Sequence, residues 1–388
     1  MRRDVLLLSL AAFASAASLR ATDPLLPLIA AEYGASTGAA SAAITAFALS
    51  YGLLQVVYGP LGDRFGRYRT IALASLVSAF GSAACAAAPG LDALVAARLV
   101  SGATIGALIP LSLAWIGDSF PYEGRQAVLA RFMIGQMLGI AFGTAIAGWL
   151  AESFGWRAIF VVFAALFIVI SALLALELGR NPLAGRHAAA LSLAQSVRRM
   201  PRALRSSRLL LATVFAEGFL IFGPFAFVAL SFQQRYAFGP GLAGTLLAAY
   251  AAGGLLYAGM ARRAIARFGE PGLVAAGGAA LALGYAGLAV SPWPVLATLC
   301  VAAVGSGYYM LHTTLQTKAT EVAPEDRGSA IALFASALFL GQASGVWVAA
   351  GILDAAGVTP VFLSAALGLA ALSLAFRMRL VSAARAPR

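Results

Sequence analysis

Long apolar segments recur along the chain, and short polar connections separate them. A hydrocarbon core about 30 Å thick requires about 20 apolar residues in each helix that crosses it. The segments are continuous apolar runs rather than short alternations, so they are typical of helices rather than of barrel strands. Hydrophobic residues make up 61% of the chain and charged residues only 11%. The pattern therefore predicts an all-α membrane protein with twelve transmembrane helices.

The predicted helices form two sets of six. The first set spans 5–31, 39–61, 69–88, 91–115, 126–150 and 157–178. The second set spans 208–232, 241–261, 271–290, 294–316, 328–350 and 358–378. The first run follows Arg2 and Arg3 as a signal peptide would, but it continues to Ala31, so we interpret it as a helix of the bundle.

The net charge of +12 is distributed by side of the membrane. Only Arg157 and Arg235 fall in the predicted external loops, whereas the other connections are rich in arginine. This asymmetry places both termini in the cytoplasm. Because the orientation of the chain in the membrane explains the basic residues, we predict no nucleic acid partner. The expected surroundings are a lipid bilayer.

One long polar stretch, residues 179–207, divides the chain into equal halves. We predict an N-terminal six-helix bundle at 1–178, a cytoplasmic linker at 179–207 and a C-terminal six-helix bundle at 208–388.

The halves also resemble each other. Phe47–Gly66 aligns with Tyr250–Gly269, and both segments close in Arg-Phe-Gly. Three glycines of the first half match three of the second at one offset: Gly139, Gly143 and Gly155 with Gly341, Gly345 and Gly357. Two parallel six-helix repeats form two pseudo-symmetric bundles, the plan of a carrier that holds its substrate between the halves.

The connection between helices 2 and 3 reads GPLGDRFGRYR, and it resembles the signature loop of the major facilitator superfamily. The matching residues are Gly59, Gly62, Asp63, Arg64, Gly66 and Arg67. The resemblance implies that Asp63 engages the start of helix 11 near Glu325 to Ser329, and that Arg67 pairs with Asp118. Such contacts would latch the halves in the outward-facing state. Ala266 stands where the second half would need its own Asp63, so we expect a one-sided latch.

Other motifs carry the same resemblance. Helix 4 has Arg98, Gly102 and Gly106 at the superfamily's spacing, and Thr22–Ser36 is similar to the twelve-helix drug/proton antiporters. Helix 5 resembles their antiporter motif in its glycines, but Ile140 replaces the usual proline. Small residues at such spacing also allow close helix packing, which explains part of this signal.

Charges inside predicted helices are costly, so they are the strongest functional candidates. At about 1.5 Å per residue, Asp23 lies about 12 Å and Arg98 about 10 Å inside the external surface. A nearby guanidinium favours the ionised carboxyl and burial favours the protonated form. We hypothesise that Asp23 carries a proton and that Arg98 modulates it. A static ion pair, Asp23 with Arg98 or with Arg20, is the alternative.

Further polar residues are candidates for the central cavity. Glu217 lies near mid-depth on helix 7 and is a second proton-coupling candidate or a ligand for a cationic substrate, with Arg20 as a partner across the cavity. His312 on helix 10 titrates in the range that suits a switch, although packing is the common role of a lone histidine. The expected substrate-binding residues are Arg20, Gln136, Glu217, His312 and Gln342.

The chain has no phosphate-binding loop, no metal-ligand spacing and no hydrolase triad, so we predict no cofactor and no enzyme activity. The resemblance implies a monomeric carrier of the bacterial inner membrane that exports small amphiphilic or drug-like compounds in exchange for protons. The alternatives are proton-linked uptake of a sugar or organic anion, with Arg20 and Arg98 binding its carboxylate, and a non-transporting membrane receptor or enzyme.

Overall fold

The computed structural model describes residues 3–180, 193–322 and 327–385, and every regular element in these ranges is helical. Residues 181–192 of the predicted linker lie outside the described residues, as does Glu325 in the predicted contact of Asp63. The later part of the predicted linker, from Leu193 onward, is continuous with the seventh helix.

Twelve helical spans make up the described chain. The first six are α1 (Arg3–Tyr33), α2 (Thr37–Leu53 with Gln55–Phe65), α3 (Arg67–Ala86), α4 (Leu91–Ser119), α5 (Tyr122–Phe154) and α6 (Arg157–Arg180). The others are α7 (Leu193–Phe225 with Val228–Tyr236), α8 (240–268), α9 (270–290), α10 (Pro294–Val322), α11 (Arg327–Ala356) and α12 (Val358–Arg385).

The prediction of twelve helices is confirmed once the continuous helix that contains α8 and α9 is counted as two spans. Ten described helices are long and apolar enough to cross a membrane, and the bent pair of α2 adds an eleventh. The helix Ala249–Val290 turns at Gly269, where φ is +62°. Because α8 runs parallel to α10 and α9 runs against it, α8 and α9 are two separate spans.

The outer surface of the bundle is apolar. One large side chain from each of α3, α6, α9 and α12 illustrates it: Phe80, Val161, Leu283 and Leu367 are 57–74% exposed. Soluble proteins rarely expose apolar patches of this size to water, whereas the hydrocarbon core of a bilayer is itself apolar. The exposed apolar faces of these four helices therefore contribute to a lipid-facing perimeter.

Close helix contacts repeat in the two halves. A Cβ atom on Gly139 of α5 would lie 2.3 Å from the Phe13 carbonyl oxygen of α1, and one on Gly341 of α11 would lie 2.0 Å from that of Phe215 in α7. Each residue of the first contact precedes its counterpart in the second by 202 positions. The glycines bring backbones together, and the same pairing is used twice.

A second pair of contacts follows the same rule. Gly102 of α4 packs on the Phe47 carbonyl of α2, and Gly305 of α10 packs on the Tyr250 carbonyl of α8. A Cβ at either glycine would lie within 2.2 Å of that oxygen. The internal repeat read from the sequence is therefore a repeat of helix packing.

Several spans are interrupted near their middle. In α1 a 3₁₀ turn covers Asp23–Leu25, where Pro24 cannot donate a backbone hydrogen bond. In α2 the two segments meet at Leu54 with a bend of 53°. The Gln55 side chain donates to the Tyr51 and Gly106 carbonyls at distances of 3.3 Å. It thus satisfies backbone groups beside the bend of α2 and beside the interruption of α4 between Ile105 and Leu108.

Candidate substrate and proton site

Asp23 and Arg20 form a buried ion pair at the interruption of α1. Arg20 Nη1 lies 3.4 Å from Asp23 Oδ2, and the two residues are 3% and 0% exposed. The other carboxylate oxygen, Asp23 Oδ1, has no hydrogen-bond partner among the described residues. A buried carboxylate oxygen without a partner is costly, so this carboxyl is a natural place for a proton or for a polar group of a ligand.

Arg20 also faces the second half of the molecule. Its guanidinium carbon lies 4.5 Å from the Phe222 ring centroid and 5.1 Å from that of Phe225, both on α7. Aromatic faces stabilise a cation from which water has been removed. The ion pair of α1 therefore lies at the boundary between the two halves.

Arg98 lies close to α1 but does not pair with Asp23. Its guanidinium donates to the Ala43 and Ser18 carbonyls at 3.4 Å, and it lies 4.0 Å from the Phe47 ring centroid. It forms no ion pair with any carboxylate that the structure describes. Of the two static ion pairs considered from the sequence, the structure contains Arg20–Asp23 and not Asp23–Arg98. Arg20 lies one turn before Asp23 on the same helix. Modulation of Asp23 by Arg98 remains a prediction.

Glu217 has a partner on another helix. Its Oε2 atom lies 3.0 Å from His312 Nδ1, and the glutamate is fully buried. Glu217 Oε1 has no partner among the described residues. The expectation that Arg20 would pair with Glu217 is wrong, because Asp23 already pairs with Arg20. Likewise, His312 is not a lone packing residue.

An aromatic stack connects the two acidic sites. The His312 ring stacks on Tyr308 at a centroid distance of 4.7 Å, and Tyr308 contacts Phe222 at 5.0 Å. Phe222 in turn lies under the guanidinium of Arg20. Asp23 in one half and Glu217 in the other are thus the ends of one continuous set of contacts.

The remaining candidates differ in their surroundings. Gln342 on α11 is buried, and its Nε2 has no hydrogen-bond partner among the described residues. Gln136 on α5 is half-buried. Sequence reasoning missed Gln233 of α7, whose Nε2 donates to the Pro24 carbonyl at 2.9 Å. A proline at position 24 frees the carbonyl of Arg20, four residues earlier, rather than its own, so the sequence did not indicate this contact.

The signature loop is held by contacts within the first half. Arg67 pairs with Asp63 at 2.8 Å and with Asp118 at 2.5 Å, and it donates to the Ala114 carbonyl at 2.8 Å. Asp63 forms no hydrogen bond or ion pair with the described part of α11.

The glycines allow the turn that carries these charges. Gly66 has a φ of +86°, and a Cβ on Gly62 would lie 2.5 Å from the Leu111 side chain. Gly59 has open space around it, and the Arg64 guanidinium lies over the Phe65 ring. The role of the whole set as a conformational latch remains a prediction.

The second half has an ion-pair group at the equivalent place. Lys318 lies 2.9 Å from both Glu270 and Glu321. These glutamates correspond to Arg67 and Asp118 of the first half at the repeat offset. The absence of an aspartate at position 266 therefore does not leave this loop without charge contacts.

Polar contacts join the two halves at the end of the bundle opposite the signature loop. Asp354 of α11 accepts from Ser36 Oγ at 2.6 Å and from the Gly38 amide at 3.1 Å, at the start of α2. Glu152 of α5 accepts from the Gly241 amide of α8 at 2.8 Å.

Arg157 and Arg235 bond to the Ala88 and Ser291 carbonyls at the same end. We call this end, with its connections 34–36, 87–90, 155–156, 237–239, 291–293 and 357, the clasp end.

The fold and the buried charges define a class: a multi-pass helical membrane protein made of two repeats with polar groups between them. The Major Facilitator Superfamily model matches residues 8–345, and the chain belongs to that family. The solved nucleoside transporter NupG is similar, with a TM-score of 0.77, 17% identity and coverage of 97% of this chain and 98% of that one. At 17% identity, the likeness to NupG shows a shared fold. Among the described residues, no group of three or more metal-ligating side chains could hold a metal ion.

Curated relatives match over part of their length. The multidrug export protein EmrB of Haemophilus influenzae is 30% identical over 157 residues, which cover 40% of this chain and 31% of the relative. The 4-hydroxybenzoate transporter PcaK of Acinetobacter baylyi is 34% identical over 107 residues, 28% of this chain and 23% of the relative. The matches thus span less than a third of these two proteins.

Proposed function

We propose that this transporter exports small amphiphilic or drug-like compounds across a bacterial inner membrane in exchange for protons. The observation that carries the proposal is the Asp23 carboxyl. It is fully buried at a helix interruption between the halves, with one oxygen beside Arg20 and the other unpartnered among the described residues. A group in that position can exchange a proton when the halves move and its surroundings change.

Arg20 would make the exchange sensitive to conformation. With Asp23 ionised, the Arg20 pair is neutral overall; with Asp23 protonated, the positive charge remains between two aromatic rings of α7. Protonation of Asp23 therefore changes the interaction between the halves. Glu217 with His312 is the second proton-coupling candidate, and Arg98 contributes a positive charge close to α1.

The aromatic residues support an amphiphilic substrate. Phe222, Tyr250 and Tyr308 lie within 6.4 Å of one another between ring centroids, beside the charged pair. Rings of this kind offer apolar contact, and the nearby carboxyls offer an ionic one. The similarity to the multidrug exporter EmrB is in keeping with this proposal.

Purified protein in proteoliposomes with an imposed pH gradient tests the exchange. Adding a transported compound should dissipate the gradient, as measured with an entrapped pH-sensitive dye. Asp23→Asn should abolish this proton movement but keep substrate counterflow, which needs no net proton transfer. The exposed carboxyl of Asp92 at the clasp end offers a matched control, and Asp92→Asn should behave like the parent.

Two results would contradict this proposal. Proton-coupled flux that persists in Asp23→Asn would remove the coupling role. A substrate that accumulates together with protons would reverse the direction of coupling.

The second candidate is proton-linked uptake of an organic anion. The observation that favours it is Arg98, a buried guanidinium that pairs with no described carboxylate. PcaK, by its name a 4-hydroxybenzoate transporter, is in keeping with it. In the same vesicles, an aromatic carboxylate that enters with protons, and whose uptake is lost in Arg98→Gln, would establish this function.

A further inference from the structure

Two carboxylates at the clasp end form contacts that are related by the internal repeat. Asp354 follows Glu152 by 202 positions, and Gly241 follows Gly38 by 203. In each case an acid at the end of α5 or α11 reaches across the boundary to the first turn of α2 or α8. Each half therefore contributes one carboxylate that accepts a hydrogen bond from a backbone amide of the other half.

The start of each receiving helix is suited to a carboxylate. Backbone N–H groups in the first turn have no partner within the helix, and the helix dipole adds partial positive charge there. Asp354 Oδ1 accepts the Gly38 amide at 3.1 Å, and Glu152 Oε1 accepts the Gly241 amide at 2.8 Å. Each acid thus satisfies a free donor in the opposite half.

Glycine is required for this approach on both sides. A Cβ on Gly38 would lie 2.3 Å from Asp354 Oδ2, and one on Gly239 would lie 2.0 Å from Glu152 Oε1. At Gly241, a Cβ would lie 2.6 Å from the Trp149 ring and 3.0 Å from Glu152 Oε2. The sequence therefore has glycine at each position that the carboxylate of the opposite half approaches.

We propose that Glu152 and Asp354 are a matched pair of clasps that hold this end of the transporter shut, and that both must release when it opens. The inference rests on alternating access but not on the direction of transport, the substrate or proton coupling. Each clasp contributes independently because the two contacts involve different helices and lie in different parts of the boundary.

The two clasps are related but not identical. Ser36 adds a hydroxyl hydrogen bond to Asp354 at 2.6 Å and also caps α2 by accepting from the Ala39 amide at 2.9 Å. On the other side, a separate bond from Trp149 Nε1 to Thr245 Oγ1 at 3.0 Å joins α5 and α8. Loss of Asp354 therefore removes two hydrogen bonds, whereas loss of Glu152 removes one and leaves the tryptophan bond.

Distance measurement by electron spin resonance tests the clasps without any substrate. Spin labels at Ala87 and Val290, exposed and equivalent positions of the two halves at this end, would report opening in a protein whose Cys85 and Cys300 are replaced by alanine. Glu152→Gln should raise the ratio of open to closed populations about fivefold, and Asp354→Asn should raise it more because the Ser36 bond is also weakened. The double variant should show the product of the two single effects. Asp92→Asn, a carboxyl of the same end, should leave the ratio unchanged.

A second set of variants keeps both acids. Gly38→Ala and Gly239→Ala place a methyl group in the carboxylate's position and should shift the ratio in the same direction. If the double acid variant and both alanine variants keep the parent ratio, the clasps do not hold this end. Because no compound or pH gradient is used, that outcome is distinct from a failure of proton-coupled export.

Discussion

Helices α1 and α7 occupy equivalent places in the two halves, yet they carry opposite chemistry at their point of contact. Arg20 and Asp23 of α1 correspond to Phe222 and Phe225 of α7, each 202 positions later. The guanidinium of Arg20 lies against both of those rings. A charged pair and its aromatic counterpart thus face each other across the pseudo-symmetry axis.

The acids of the two helices are also placed differently. Glu217 of α7 corresponds to Ser15 of α1, whose hydroxyl donates to the Ile105 carbonyl at 3.2 Å. The first half therefore carries its acid beside an arginine of the same helix, whereas the second half pairs its acid with His312 of another helix. The repeat preserved the helix packing and left the polar groups free to diverge.

The largest expected effect is the loss of the charge pair in α1. Asp23→Asn leaves Arg20 buried without a counter-charge, and we expect the free energy of unfolding to fall by about 3–5 kcal/mol. The double variant Arg20→Gln with Asp23→Asn should recover most of that loss. Equilibrium unfolding in mixed detergent micelles measures both. A single variant as stable as the parent would mean that this pair does not stabilise the fold.

The acid of α7, Glu217, should depend on a hydrogen bond between helices. His312→Phe leaves both oxygens of Glu217 without a partner, at a cost of about 1–3 kcal/mol. His312→Gln retains a donor and should cost less. The same unfolding assay compares them, and Ser15→Ala is the matched change in the first half. Equal stability of the two His312 variants would argue against the hydrogen bond.

The contact between α1 and α7 should respond to the loss of an aromatic face. Phe222→Leu removes the nearer ring and should cost about 0.5–2 kcal/mol beyond the change in apolar area. Phe225→Leu, whose ring is 5.1 Å away rather than 4.5 Å, should cost less. Repeating both in an Arg20→Gln background should remove the difference. If the two leucine variants still differ in stability in that background, the difference comes from packing rather than from the cation.

The smallest effect is expected at the partly exposed ion-pair groups beside the signature loop and its counterpart. Arg67 lies between two acids, Asp63 and Asp118, and Lys318 lies between Glu270 and Glu321. These groups are partly exposed, so Asp118→Asn and Glu321→Gln should each cost only about 0–1 kcal/mol. Unfolding at low and high salt checks this, since the loss should diminish as salt rises. A loss of unfolding free energy that does not change with salt would contradict an ionic origin.

The sequence alone predicted the features that depend on local pattern. Length and apolarity predicted the spans, and matching glycines such as Gly139 and Gly341 predicted a repeat that the packing displays. Rotation of each helix about its axis was not predictable. That rotation decides that Arg20 faces α7 and that Arg98 bonds to carbonyls. The Glu217–His312 pair likewise required knowing which faces of α7 and α10 meet.

The glycine-to-carbonyl contacts within each half have a mechanical consequence. Where Gly102 meets the Phe47 carbonyl and Gly305 meets that of Tyr250, no side chain is present to yield as the helices shift. Each bundle of six is therefore stiff along these seams, and displacement at one buried group is passed to the whole bundle instead of being absorbed nearby. Under the proposed proton coupling, a single ionisation in the interrupted helix α1 would thereby reorient a body of some two hundred residues.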